Sequence, residues 1–217
     1  MGKPQKPVPE GVWCTRDGVV ESLHLVNAVV VDHTGKVLAW QGDQEWLTVY
    51  RSAAKPFQAL PLVDDGVVDR FGLNDEELAI TAASHNGERE HLAAVAGILE
   101  KVGFPPGALG LGPLAPLRKE TAEELFRAGE NVTPAHNNCS GQHAAMLGLT
   151  RVHDWPPDSY LDPRHPLQER MLKEMARYTE VPGESIQTMP DGCGMVAFGV
   201  PLRNMALSFA KLGRASR

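Results

Sequence analysis

The chain has 217 residues, 42% hydrophobic and 22% charged, a soluble globular composition able to bury one substantial core and too apolar for a disordered segment. Its formal net charge of −6, without a clustered Lys/Arg stripe, argues against nucleic acid as a partner. No apolar run is long enough to span a bilayer, which argues against a membrane. Residues 1–12 read as a polar, proline-rich tail without the apolar core of an export signal, so the expected compartment is the cytoplasm.

In chain order, the β-branched run from Val19 to Asp32 and the stretch from Lys36 to Trp40, separated by His33-Thr34-Gly35, predict a β-hairpin. Arg51 to Lys55 predicts a tight turn, with helix beginning at or just before Pro56. Asn74 with Glu77 three residues later predicts a capped helix ending near Ser84. Glu88 to Val102 has apolar residues at helical spacing and Gly103 as its stop, and Glu120 to Ala128 repeats the pattern. Between these helices, Phe104 to Leu117 is rich in proline and glycine and predicts an irregular loop or lid. Further helices are expected over Ser140 to Arg151, Pro166 to Tyr178 and Pro201 to Leu212, with strands near Ile186 to Met189 and Met195 to Phe198. No repeat or linker divides the chain, so a single domain over 1–217 is expected.

Ser52 and Lys55 carry the first chemical signal. A turn brings positions three apart onto one face, where an unprotonated lysine amine can take the proton of a serine hydroxyl. Ser-x-x-Lys also occurs in helices whose lysine only solvates a surface, but Phe57, Leu60, Leu62 and Val63 supply apolar walls here. Ser84, followed by His85, falls at an element end, where a side chain can face a cleft.

Cys14, Cys139 and Cys193 are odd in number and far apart, which disfavours a disulfide framework and leaves thiol or metal chemistry open. Cys139 is expected in the first turn of a helix, where thiolate is favoured, with His143 four residues on. Pro190-Asp191-Gly192-Cys193-Gly194 offers a second thiol and a carboxylate on a glycine-flanked turn. These residues suit a zinc site with an open position, or two small buried thiols beside a core histidine.

In this order, Arg51-Ser52-Ala53-Ala54-Lys55-Pro56, Ala83-Ser84-His85-Asn86-Gly87-Glu88, His136-Asn137-Asn138-Cys139-Ser140-Gly141 and Asp191-Gly192-Cys193-Gly194 resemble the motif series of class 3, rhizobial-type L-asparaginases, the asparaginase II family. The resemblance runs from about Thr15 to Leu212. It implies an α/β fold similar to serine β-lactamases and glutaminases, hydrolysis of L-asparagine to aspartate and ammonia, and a homodimer or higher oligomer. It further implies Ser52 as nucleophile or one of two catalytic serines, Lys55 as its base and Ser84 as the second serine. Arg51, His85, His143 and Asp191 would shape the substrate and metal pocket, and Cys139 and Cys193 match zinc-binding cysteines.

Two departures accompany the resemblance. Gln142 stands where family members have a lysine, and an amide is a poor zinc ligand, so zinc binding is expected to be weakened. Family members also continue beyond the end of this sequence, through strands and a second lysine paired with the residue matching Ser84. The sequence therefore also admits a noncatalytic ligand-binding or interaction protein. An acyl-serine enzyme acting on β-lactams or peptides is disfavoured by the lack of a clear Lys-Thr-Gly strand motif.

Overall fold

The computed structural model describes residues 11–215. Most of the expected polar tail thus lies outside the described residues, and Val12 already opens a strand. The elements run β1 (Val12–Arg16), β2 (Val19–His24), β3 (Ala28–Val31), β4 (Val37–Gln41), β5 (Leu47–Val49), α1 (Lys55–Asp64), α2 (Val67–Phe71), α3 (Asp75–Thr81), α4 (Arg89–Val102), α5 (Lys119–Ala128), α6 (Ser140–Val152), α7 (Pro166–Thr179), β6 (Gln187–Pro190), β7 (Val196–Pro201) and α8 (Leu202–Ala215). Helices and small antiparallel sheets are mixed, which is compatible with the expected α/β class. The backbone divides into two compact units, one of residues 11–48 and 201–215 among those described, the other of 49–200.

In the first unit, β1 and β2 form a hairpin around Asp17-Gly18, with φ of 48° and 77°. Both central residues are left-handed, as a two-residue turn matching strand twist requires, and Asp-Gly is among the sequences best suited to it. β3 and β4 form the second hairpin. Asp32 organises its loop by accepting hydrogen bonds from the Thr34 hydroxyl and the Thr34 and Lys36 backbone N–H groups. α8 packs on β3.

The second unit is built around α6. Every residue from Ser140 to Thr150 is buried, because the helix is mostly apolar or small, its Gln142 and His143 are hydrogen-bonded inside, and it contacts α1, α3, α4 and α7. Phe57, Leu62, Val95, Ile98, Leu147, Leu149, Leu167, Met171 and Phe198 complete the core; burying each large side chain contributes roughly 1.5–3 kcal/mol. Gly141 sets a close approach: a Cβ there would lie 2.6 Å from the Ile80 carbonyl oxygen. The start of α6 therefore sits directly against the end of α3, just before Ser84.

Local sequence explains the ends of these elements. Asn74 and Glu77 form the expected capping box on α3, and Gly103 ends α4 with a φ of 74°. α3 stops at Thr81, however, leaving Ser84 in an irregular connection to α4. A 3₁₀ turn, Arg51–Ala54, leads into α1, with Pro56 in its first turn where its missing N–H costs no helical bond. In the sheet of the second unit, β6 runs antiparallel to β7, and the Tyr50 N–H donates to the Phe198 carbonyl on the other edge of β7.

Candidate active site

Lys55 opens α1, and its side chain is 2% exposed. Its amine lies 2.9 Å from the Ala83 carbonyl oxygen and 3.3 Å from that of Asn138, acceptors that fix two of its N–H directions. Ser84 Oγ is 3.0 Å from the same nitrogen and Cys139 Sγ is 3.3 Å from it. The Ser84 residue is exposed, so an accessible hydroxyl rests on an interior amine.

Ser52 is placed differently from the sequence expectation. The Lys55 backbone N–H bonds to the Ser52 carbonyl, closing the turn, but Ser52 is exposed and its hydroxyl forms no hydrogen bond with Lys55 among the described residues. Ser52 lines a cleft of about 430 Å³ with Arg51, Asn137, Asn138, Cys139, Asp191 and Cys193. Ser84 lines another, with Glu76, His85 and His91. Lys55 lies between the groups of the two clefts, bonded to Ser84 on one side and Cys139 on the other.

The first cleft carries an opposed pair of charges on a mixed polar and apolar lining. Arg51 adopts a φ of 48°, an uncommon conformation for a residue with a long side chain, and its Nε lies 2.8 Å from Asp191 Oδ1. The pair is largely open to solvent on the arginine side, so its contribution to stability is small, about 0–1 kcal/mol. The guanidinium retains donors suited to a carboxylate. Asn137, not singled out in the sequence, ties this cleft together: its side chain accepts the Cys139 N–H and donates to the Gly112 carbonyl of the irregular 104–117 segment.

His85 is buried with both ring nitrogens engaged. Ser140 Oγ donates to the Ala135 carbonyl and accepts from His85 Nε2, while His85 Nδ1 accepts the Gly87 N–H. Burial, then the nearby charges of His91 and Lys55, lower its pKa to about 4, keeping the ring neutral. Its contacts hold the Ser84–Gly87 segment against α6.

His143 is fully buried and absent from the cleft wall. Its Nδ1 is 2.6 Å from Tyr160 Oη, which accepts the Gly110 N–H. Tyr160 Oη therefore donates to Nδ1, leaving Nε2 as the protonated nitrogen and without a partner among the described residues. Burial, with the Lys55 charge, lowers the His143 pKa to about 3. The Tyr160 contact anchors the 104–117 segment from below, and no local motif marks Tyr160 in the sequence.

Cys139 and Cys193 are neighbours joined by a hydrogen bond. That bond, reinforced by Lys55 and opposed by burial, lowers the Cys139 thiol to about 6; the same bond and burial push Cys193 upward. The zinc implied by the resemblance would need further ligands, but the Gln142 amide nitrogen donates to Gln58 Oε1 at 2.6 Å. Among the described residues no group of three or more His, Cys, Asp or Glu side chains is arranged to hold a metal. Two sulfurs leave the donor set short of the four that zinc takes, so the residues do not fit a resident zinc ion.

A comparison with curated proteins finds no match. The sequence model of the L-asparaginase II family matches residues 12–217, spanning both compact units and all four motif segments. The chain belongs to the L-asparaginase II family.

Proposed function

We propose that this chain is an amidohydrolase converting L-asparagine to L-aspartate and ammonia through serine-lysine chemistry. The observation carrying this reading is the 3.0 Å contact between the Lys55 amine and the Ser84 hydroxyl. With the amine neutral, its two N–H bonds point to the Ala83 and Asn138 carbonyls and its lone pair is left for the Ser84 proton. Ser84 Oγ attacks the amide carbon as its proton passes to Lys55. Collapse of the tetrahedral intermediate returns that proton to the departing nitrogen and releases ammonia. Water, deprotonated by the same amine, then cleaves the aspartyl ester and restores Ser84. Ser52 is the second hydroxyl, and Arg51 and Asp191 supply charges complementary to the substrate's α-carboxylate and α-ammonium groups. The same proposal includes a serine-β-lactamase-like fold and a cytoplasmic homodimer.

A noncatalytic, ligand-binding role is favoured by a different observation. All four Lys55 contacts also suit a permanently charged ammonium, and Ser52 does not touch it. Ammonia release from L-asparagine separates the two readings. Turnover that falls on Ser84→Ala, with the melting temperature retained, supports hydrolysis; absence of turnover with retained asparagine binding supports the ligand-binding role.

A further inference from the structure

Ser84, whose hydroxyl rests on the Lys55 amine, lines a cavity of about 370 Å³ between the end of α3, the first half of α4 and the connection that joins them. Its walls are mainly apolar, from Ala79, Ile80, Ala83 and Ala94. Arg51 and Asp191 belong to the other cleft, and among the described residues no lysine or arginine lines this one. Its acidic side chains, Glu76 and Glu90, repel an anionic acyl group. The neighbouring His85 leaves no unmatched ring atom, since both its nitrogens are already bonded. A small uncharged acyl chain therefore matches the space beside Ser84 better than an amino-acid zwitterion does.

We propose that the chain also hydrolyses neutral short-chain carboxylic esters, with Ser84 as nucleophile and the acyl chain held in this cavity. The proposal rests on the Ser84–Lys55 chemistry proposed above, but not on asparagine as its substrate. Ser84 Oγ attacks the ester carbonyl carbon while its proton passes to Lys55. The bond to the alkoxy oxygen breaks, that oxygen takes the proton, and an alcohol leaves. Water then attacks the acyl-serine carbonyl and gives a proton to Lys55; the bond to Ser84 Oγ breaks and that oxygen recovers the proton. Ester and water thus become carboxylic acid and alcohol, with no further reactant.

A cavity of about 370 Å³ lies at the lower end of the range of ligand sites, which suits acyl chains of a few carbons. Each methylene moved from water onto its apolar walls should raise kcat/KM about threefold to fourfold until the space is full.

The test follows hydrolysis of p-nitrophenyl acetate, propionate and butyrate by the full chain, so that the acyl group alone varies. Ammonia release from L-asparagine is measured on the same samples, and Ser84→Ala is the reference for both reactions. The natural chain should exceed Ser84→Ala in ester hydrolysis by at least about tenfold, with kcat/KM rising from acetate to butyrate. Ala79 is exposed on α3, so Ala79→Phe should fold, as circular dichroism checks, and should flatten or reverse the rise by filling the cavity. Ester hydrolysis that survives in Ser84→Ala, a kcat/KM that does not rise along the series, or a rise retained in Ala79→Phe would overturn the proposal. Ser84-dependent ammonia release without ester hydrolysis also overturns it, while the amidohydrolase reading stands. Ser84-dependent ester hydrolysis with the expected rise but no ammonia release upholds it and counts against asparagine as the substrate. Absence of both activities overturns both.

Discussion

Lys55 Nζ hydrogen-bonds Ser84 Oγ across a separation of 29 residues, whereas its near neighbour Ser52 meets Lys55 only through the backbone. This makes Lys55 substitutions more informative than the usual serine scan. Lys55→Arg keeps a positive charge in the carbonyl cradle but cannot supply a neutral amine at any working pH. If Lys55 is the base, turnover should fall by about 10²–10⁴-fold in both Lys55→Arg and Lys55→Met. Steady-state ammonia release checks this, and an active Lys55→Arg variant would show that the amine serves as a fixed charge.

Much of the scaffold was legible because it is governed by local interactions. Asn74 with Glu77 marked the start of α3, Gly103 marked the end of α4, and the small, apolar run after Cys139 marked α6. Asp17-Gly18 carries an equally local hairpin signal, but the short, mixed strand before it lacks the aliphatic run that marks the later hairpin. The Ser-x-x-Lys spacing located the lysine correctly but said little about its partner. A long side chain leaving a turn can travel several ångströms, and burial carries the Lys55 amine toward Ala83, Ser84 and Asn138 instead of the exposed Ser52. Tyr160 was invisible for a related reason: its partners, His143 and Gly110, meet it only in the folded core.

The contact between α3 and α6 should be intolerant of even one methyl group. At Gly141 an added Cβ meets the Ile80 carbonyl oxygen at 2.6 Å, and backbone cannot swing aside as a flexible side chain would. Gly141→Ala should cost about 1–3 kcal/mol, measured by urea denaturation. It should also reduce turnover in the folded fraction by moving Asn138 and Cys139 away from Lys55. A variant as stable as the natural chain would show that the two helices are not held at this spacing.

Stability should decline on acidification through buried histidine. His143 has a folded pKa of about 3, below its ordinary value near 6.5, because burial disfavours the charged ring. Between those values the unfolded chain holds the proton and the folded chain does not, so stability is fully present above pH 6.5 and is lost as pH falls. The His143 contribution to that loss is on the order of 2–3 kcal/mol by about pH 4.5. His85, lowered to about 4, acts in the same direction. His143→Phe should flatten the decline in urea midpoint between neutral and acidic pH, although it also removes the Tyr160 bond and lowers stability at pH 7. An unchanged slope would assign the acid sensitivity to other groups.

Zinc content offers a separate test of the residue beside the thiols. Cys139 and Cys193 already line the same cleft, and the buried Gln142 amide is engaged by Gln58 at 2.6 Å. A lysine at 142 would replace a weak amide donor with an amine that can bind metal when unprotonated, leaving the Gln58 carbonyl free to accept one of its protons. Elemental analysis should therefore find substoichiometric zinc in the natural chain and a higher zinc-to-protein ratio in Gln142→Lys. The gain should vanish in Gln142→Lys combined with Cys193→Ser, which removes one sulfur but leaves the new amine. Full zinc occupancy in the natural chain, with no increase in Gln142→Lys, would show that Gln142 does not control metal binding.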